Sequence, residues 1–246
     1  DVAKTLLEQT ARGEGLGALI GLGFKEAQRR IGKGSERYAC EIKGTEPDFD
    51  ARASFGVEVF TSVVNVRPCR DLPVGGLTVA KGRKPEFFHK VIKNIGFVPK
   101  DRLHEIVTAE GFDLPRLTVY YEYWAAVLDM MGVCFRMQNS SLYNVDVLAR
   151  LYSAATALEK GPEELLKDAE RAFNLARFLN WREGFSRKDD RFPEQWFEPL
   201  KRPDRGEELL LVDYFGKKRI TREDVERMLT EYYNEHGWDT ATGVPT

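Results

Sequence analysis

The 246-residue sequence has little cysteine and no long apolar run. Cys40, Cys69 and Cys134 are its only cysteines, and they are odd in number, far apart and never in a Cys-x-x-Cys pair. This spacing excludes a self-contained zinc or iron–sulfur motif and argues against a disulfide framework, so we expect a reducing, cytoplasmic setting. The apolar runs are far shorter than a bilayer span, and no secretory signal is visible, so we expect no membrane association.

The sequence also has no excess of either charge. It carries 37 basic and 39 acidic residues, a formal net charge of −2, which gives no reason to expect a nucleic-acid or anionic-membrane partner. Its 42% hydrophobic and 31% charged content is typical of a folded globular protein. Asp1 is not an initiator methionine and a helical pattern begins at once, so we expect a piece of a longer protein.

Helical periodicity dominates the chain and predicts a multihelical, all-α fold. The most apolar pattern covers residues 117–131 and is apolar almost all round, which indicates a central helix. Surface helices are predicted over 161–180, with a proline at the first helical position, and over 221–237, which opens with a Thr–Asp capping box. Shorter helices are predicted over 54–65, 85–93 and 99–110. We expect at most a short β-hairpin near 208–220, turning at a glycine.

One segment, LDMMGVCFRM (128–137), combines an acid and a cysteine near a predicted helix end. Asp129 falls in the last turn before Gly132, where the helix dipole disfavours a carboxylate, and an apolar helix would also bury it. Beyond Gly132 the chain can turn and present Cys134 toward the same helix end. Spacing alone favours the simpler interpretation, in which Asp129 bonds an arginine and Cys134 is a small buried hydrophobe.

Four stretches, in this order, follow the motifs of one enzyme family. Residues 40–60 contain a Lys-Gly-x-Glu…Asp-x-Arg pattern, and LDMMGVCFRM contains Asp-x-x-Gly-(Leu/Val)-Cys. Residues 171–200 contain the most specific pattern, Arg-x-Phe-Asn…Arg-Glu-Gly-Phe-x-Arg…Asp-Asp-x-(Leu/Phe)-Pro. The end of the chain, MLTEYYNEHGWDTATGVPT, matches Leu-x-x-Tyr-Tyr…Gly-Trp-Asp…Gly-x-Pro-Thr. With these motifs, nearly the whole chain resembles the tungsten-containing aldehyde ferredoxin oxidoreductase family.

The resemblance implies a fold, a reaction and site residues. Residues 1–45 would be the end of the family's middle helical domain, and residues 46–246 its C-terminal helical domain. Cys134 would be one thiolate ligand of a [4Fe–4S] cluster, Asp129 would accept hydrogen bonds from pterin amino groups, and the Val133 backbone would contribute beside it. The enzyme would oxidise aldehydes to carboxylates at a tungsten (or molybdenum) bis-pterin centre, with ferredoxin as electron acceptor.

The sequence departs from the family pattern in two ways. The Cys-x-x-Cys-x-x-x-Cys run and the phosphate-holding N-terminal domain are absent from it. The resemblance therefore implies that the missing N-terminal domain is a partner of this chain, and it leaves a homodimer as a possible assembly. It also implies that this piece alone is inactive and binds no cofactor. In NVRPCRDLPVGG (65–76), Arg70 or Asp71 stands where the family has a histidine near the metal, so these two are the candidate catalytic residues.

Two alternatives to aldehyde oxidation follow from these departures. One is a non-catalytic helical module for assembly or partner binding, and the other is a family member with reductive chemistry. The charged loop at 181–196, which belongs to the most specific motif, is expected to be structural rather than ligating.

Overall fold

The fold is built from α-helices, which confirms the all-α, multihelical prediction. The computed structural model describes residues 1–67, 77–134 and 143–246. Its helices are Val2–Arg12 (α1), Gly15–Ile20 (α2), Gly23–Ile31 (α3), Val57–Val64 (α4), Pro85–Ile95 (α5), Leu103–Ile106 (α6), Leu114–Met130 (α7), Val145–Thr156 (α8), Pro162–Arg182 (α9) and Arg222–His236 (α10). Two antiparallel pairs join Val107–Thr108 (β1) to Gly111–Phe112 (β2) and Leu200–Arg202 (β3) to Glu207–Leu209 (β4).

The helix predicted over 99–110 is confirmed only at Leu103–Ile106 and is wrong over the rest of that range. α6 ends at Ile106, and the chain turns directly into β1 and β2. Val107 and Thr108 are β-branched, which favours the strand. At Gly111 a Cβ atom would lie 2.7 Å from Cε2 of Phe215, so only a glycine lets the turn approach that ring.

The hairpin expected near 208–220 is reduced to a single bridge. Val212 and Arg219 pair across a turn in which Gly216 has a φ of 69°, at the glycine that the sequence indicated. The regular ladder lies just upstream, between β3 and β4.

α7 is the central helix, as its apolar pattern predicts. It begins after Asp113, whose side chain accepts the Arg116 N–H at 3.1 Å, and Pro115 occupies its first turn. Its residues are buried from Leu117 to Leu128, apart from the half-buried Tyr120, and it packs against α4, α9 and α10. The C-terminal end of this buried helix carries the candidate site.

α9 and α10 cover α7 with one apolar face each. The inner face of α9 buries Leu165, Ala169, Phe173 and Arg177. α10 begins with the predicted capping box, in which Thr221 Oγ1 accepts the Asp224 N–H at 3.2 Å and the Asp224 carboxylate accepts the Thr221 N–H at 3.1 Å. Both predicted surface helices are therefore confirmed.

The first three helices pack mainly on each other. α1 has no buried residue and lies against α2, where Gly17 touches the backbone of Gln9 and Thr10. A side chain at Gly17 would overlap that backbone, so the close packing requires glycine at this position.

Candidate functional site

The site predicted from sequence lies where α7 stops. Gly132 has a left-handed φ of 67°, its N–H donates to the Asp129 carbonyl at 3.1 Å, and the Val133 N–H donates to the Leu128 carbonyl at 2.9 Å. These two bonds form a Schellman termination, which confirms Gly132 as the helix stop. The turn leaves the Cys134 thiol exposed.

The expectation that Asp129 is buried is wrong. The apolar run ends at Leu128, and residues 129 and 130 lie on the outward side of the last turn, so that 35% of the Asp129 side chain is exposed. Its Oδ2 accepts a hydrogen bond from Arg67 Nη2, which supplies the arginine partner that the simpler interpretation expects. That interpretation is wrong for Cys134, which is exposed rather than buried.

Arg67 belongs to a short corner, residues 65–67, that follows α4. Asn65 is buried at the end of α4, and its Oδ1 accepts the Arg67 N–H at 2.9 Å. Its Nδ2 donates to Glu122 Oε1, also at 2.9 Å, which ties the corner to α7. The predicted catalytic residues Arg70 and Asp71 lie beyond this corner, outside the described residues.

Two further side chains hold the same corner from other segments. The Lys43 ammonium donates to the Asn65 carbonyl at 2.8 Å, and the Asn180 amide of α9 donates to the Val66 carbonyl at 2.5 Å. The corner is therefore fixed by α7, by α9 and by the segment before α4, and its last described residue reaches Asp129.

Glu122 is a fully buried carboxylate in the middle of α7. Its Oε1 accepts hydrogen bonds from Thr61 Oγ1 and Asn65 Nδ2, and its Oε2 accepts the Tyr232 hydroxyl at 2.6 Å. Burial, followed by the charge of Glu122, raises the pKa of Tyr232, so this phenol stays a donor. These three hydrogen bonds therefore offset the free-energy cost of removing this carboxylate from water.

His236, one of the chain's three histidines, lies in the same interior. Its ring stacks on Trp238 at 4.1 Å and on Phe173 at 5.4 Å, measured between ring centroids. Its Nδ1 lies 2.9 Å from the Tyr123 hydroxyl, and its Nε2 lies 3.7 Å from Glu122 Oε2. Burial lowers the pKa of His236 below 6.5, which favours the neutral imidazole.

A second buried carboxylate, Asp190, joins three of the sequence motifs. Lys43 and Arg177 each lie 2.6 Å from one of its oxygens, and the Tyr233 hydroxyl donates to it at 2.5 Å. Arg177 also donates through Nε to the Gly243 carbonyl at 2.8 Å. The loop at 181–196 therefore makes structural contacts through Asp190.

Sequence reasoning about single patterns missed Lys43, Asn65, Arg67 and Glu122 as parts of the site's surroundings. The available signal was motif membership: Lys43 opens the Lys-Gly-x-Glu stretch, and Asn65 and Arg67 are the first and third residues of NVRPCRDLPVGG, where the family typically has Asn-x-Arg before its histidine. No motif marked Glu122, whose isolation in an apolar helix was the only indication.

At this site the described residues provide hydrogen-bond acceptors and one thiol that could bind a cofactor or a metal. No group of three or more His, Cys, Asp or Glu side chains able to hold a metal ion occurs within 1–67, 77–134 and 143–246. Asp129 contributes carboxylate oxygens, and because the Val133 N–H is bonded to Leu128, Val133 can offer its carbonyl. Cys134 can supply a single thiolate ligand.

A surface cavity of about 480 Å³ lies at the other end of α7. It has an aromatic floor of Phe112, Tyr214 and Phe215 and includes Asp113, which precedes the helix. Of the predicted site residues that the structure describes, Asp129, Val133 and Cys134, none lines this cavity, so the cavity and this helix end are separate features. In the part of the chain that the structure describes, no helix is both long and apolar enough to traverse a bilayer.

Comparison with known proteins gives a family match and a structural neighbour. The family model described as "Aldehyde ferredoxin oxidoreductase, domains 2 & 3" matches residues 1–246. Among solved structures, the chain is similar to one described as "Active site complex BamBC of Benzoyl Coenzyme A reductase in complex with 1,5 Dienoyl-CoA", with 19% identity and a TM-score of 0.62. The match covers 98% of this chain and 36% of that one, and at this identity it shows the fold alone. None of the curated proteins compared matches the chain.

Proposed function

This chain belongs to the aldehyde ferredoxin oxidoreductase family, whose domains 2 and 3 it covers, and on that premise we propose that it forms the C-terminal part of a pterin-dependent oxidoreductase. In the proposed reaction an aldehyde and water yield a carboxylate, protons and two electrons. A tungsten (or molybdenum) bis-pterin and a [4Fe–4S] cluster would supply the redox chemistry, and ferredoxin would take the electrons. The share of this chain would be to hold and orient these groups.

The exposure of Asp129 and Cys134 at one helix end is the observation that carries the proposal. A carboxylate and a thiol that served only the core would be buried, whereas both side chains here lie at the surface. They are only five positions apart in the sequence, so one surface region can offer a hydrogen-bond acceptor and a metal ligand together.

The donor set fits the share of the cofactors that the resemblance assigns to it. The Asp129 carboxylate and the Val133 carbonyl are both acceptors, and the amino groups of a pterin are donors. Cys134 fits one corner of a cluster that takes about four thiolate ligands. The remaining ligands would come from the N-terminal domain, so the isolated chain is expected to hold neither group and to be inactive.

The outer side of α9 supports the idea of a larger enzyme. Leu175, Phe178, Leu179 and Trp181 are exposed there, although the inner face of the same helix is already packed on α7. A helix that is apolar on both sides is typical of the interior of a larger assembly.

Reductive chemistry at the same centre is the second candidate. Arg70 or Asp71 stands where the family has a histidine near the metal, and a changed acid–base group would suit a changed reaction. The structural neighbour is described as a reductase, although its likeness extends only to the fold.

The proposal is tested on the complete enzyme, with iron and pterin measured per polypeptide. We expect Cys134→Ser to lower the iron content and to shift the reduction potential of the remaining cluster. The control Cys40→Ser, which replaces the other described thiol, should change neither. Unchanged iron and potential in Cys134→Ser would overturn the ligand assignment. Wild-type enzyme without pterin would overturn the proposed function itself.

The direction of the reaction is tested separately. Aldehyde-dependent reduction of ferredoxin by the wild-type enzyme is the expected result. If no aldehyde supports electron transfer, but reduced ferredoxin drives reduction of an aromatic thioester, the second candidate replaces the first.

A further inference from the structure

Arg67 meets Asp129 at the edge of the site. Its Nη2 donates to Asp129 Oδ2, and the two side chains are 45% and 35% exposed. An ion pair this accessible contributes only about 0–1 kcal/mol to folding. The small contribution of this ion pair to stability therefore does not explain why the arginine is held in place.

The backbone that carries Arg67 is nevertheless held firmly. Its N–H bonds to Asn65 Oδ1, and Asn65 is itself tied to Glu122 and to Lys43. The preceding carbonyl, that of Val66, accepts the Asn180 amide. Side chains from distant segments thus fix the corner, while the guanidinium at its end reaches the surface. Such support is typical of a side chain whose position matters for a site.

The contact leaves Asp129 able to accept further donors. A carboxylate offers about four lone-pair positions on two oxygens, and Arg67 uses Oδ2. Within the described residues no donor bonds to Oδ1, so pterin amino groups can bond there while the arginine stays. Because charge-assisted hydrogen bonds are directional, the arginine also restricts the rotation of the carboxylate.

We propose that Arg67 is a positioning residue that orients the Asp129 carboxylate for a pterin and remains bound to it in the loaded enzyme. This inference rests on the proposed function, since it takes Asp129 as a pterin acceptor. It gives the hydrogen bonds of the 65–67 corner a role, namely to place the guanidinium before the cofactor binds.

The test compares Arg67→Gln, Arg67→Lys and wild type as complete enzymes, by pterin retained per polypeptide after exhaustive dialysis. Supporting partners of cofactor ligands commonly contribute 10–100-fold to affinity, so we expect Arg67→Gln to weaken pterin retention about tenfold. Arg67→Lys, which keeps one charged donor, should recover part of that loss. Arg116→Gln is the matched control, since Arg116 pairs with Asp113 at the opposite end of α7. It should retain pterin like wild type.

A double-mutant cycle separates positioning from a general structural effect. Asp129→Asn should lower pterin retention, and adding Arg67→Gln to it should lower it no further. The melting temperature of Arg67→Gln should remain close to that of wild type. If Arg67→Gln retains pterin as well as wild type or better, Arg67 does not position Asp129 for the pterin. The inference is then overturned while the proposed function stands. Wild type without pterin overturns both.

Discussion

The Lys43 ammonium lies 2.6 Å from the Asp190 carboxylate in the interior of the protein. Arg177 reaches the other oxygen of Asp190 at the same distance, so one carboxylate serves two buried cations. Burial lowers the pKa of Lys43, and the charge of Asp190 opposes that shift. The three residues come from the segment before α4, from α9 and from the loop after it, and their contact joins these parts around α7.

Replacing Asp190 with asparagine is expected to destabilise the fold strongly. The substitution keeps the size of the side chain but leaves Lys43 and Arg177 buried without a countercharge, a change that commonly costs about 3–5 kcal/mol. Urea unfolding of the isolated chain, followed by circular dichroism, measures the free energy of unfolding. The control is Asp204→Asn, whose pair with Arg205 is exposed and should contribute less than about 1 kcal/mol. Equal stabilities of the two variants would contradict the importance of the buried pair.

His236 is expected to make the fold sensitive to mild acid. Its pKa is lowered by burial in the folded chain, whereas the unfolded imidazole has its ordinary value near 6.5. Below that value the unfolded state binds more protons, so this contribution to stability is present above pH 6.5 and is lost as pH falls toward the folded pKa. The measurement is the free energy of unfolding of wild type and His236→Gln from pH 8 to pH 5.

The difference between these two proteins should shrink as the pH falls, because only wild type has the buried imidazole to protonate. Glu122, Tyr123, Tyr232, Glu235 and Arg177 face or influence His236 and remain in both proteins, so their own titration largely cancels. His89→Gln, at an exposed histidine, should leave the wild-type pH profile unchanged. A difference that is constant with pH would rule out this role of His236.

The sequence predicts helix positions here because local signals decide them. Pro162 in the first turn of α9, the Thr221–Asp224 capping box and the Gly132 stop all act within one turn of the helix, and all three are found. The wrong burial of Asp129 has a different cause. An apolar pattern gives the average environment of a helix, but the environment of its last turn depends on what packs beyond Leu128.

The contacts around the candidate site could not be derived from local patterns. Asn65 binds Glu122 and Lys43, each far away along the chain, and only the folded arrangement brings them together. Family motifs marked Lys43, Asn65 and Arg67 as special without telling which residues they meet. The cofactor roles of Asp129, Val133 and Cys134 stay predictions from the resemblance.

Gly17→Ala is expected to separate α1 from α2. The new Cβ would overlap the backbone of Gln9 and Thr10, which cannot move aside as a flexible side chain could. Because α1 buries no residue, the loss should be local, with faster amide exchange in α1 and little change in the melting temperature. Gly21→Ala is the control, since its Cβ would meet Thr10 Cγ2 at 3.3 Å, a contact that a small shift relieves. Unchanged exchange in Gly17→Ala would show that the helices do not pack this closely.

The outer apolar face of α9 is expected to make the isolated chain self-associate. Leu175 and Phe178 are exposed and lie one turn apart on that face, and exposed apolar patches of this kind drive association. Replacing both with glutamate should weaken self-association about tenfold or more, which corresponds to about 1.4 kcal/mol, because two buried side chains and their area are lost from the contact. Sedimentation velocity over a range of concentrations measures this. The melting temperature should change little, since exposed positions tolerate substitution.

Leu151→Glu with Leu158→Glu, at two exposed leucines on or just after α8, provides the matched control. If the control pair weakens association equally, the effect comes from added charge and α9 has no special surface. If only the α9 pair weakens self-association, the outer face of α9 is the association surface, as expected of a face that a larger enzyme would cover.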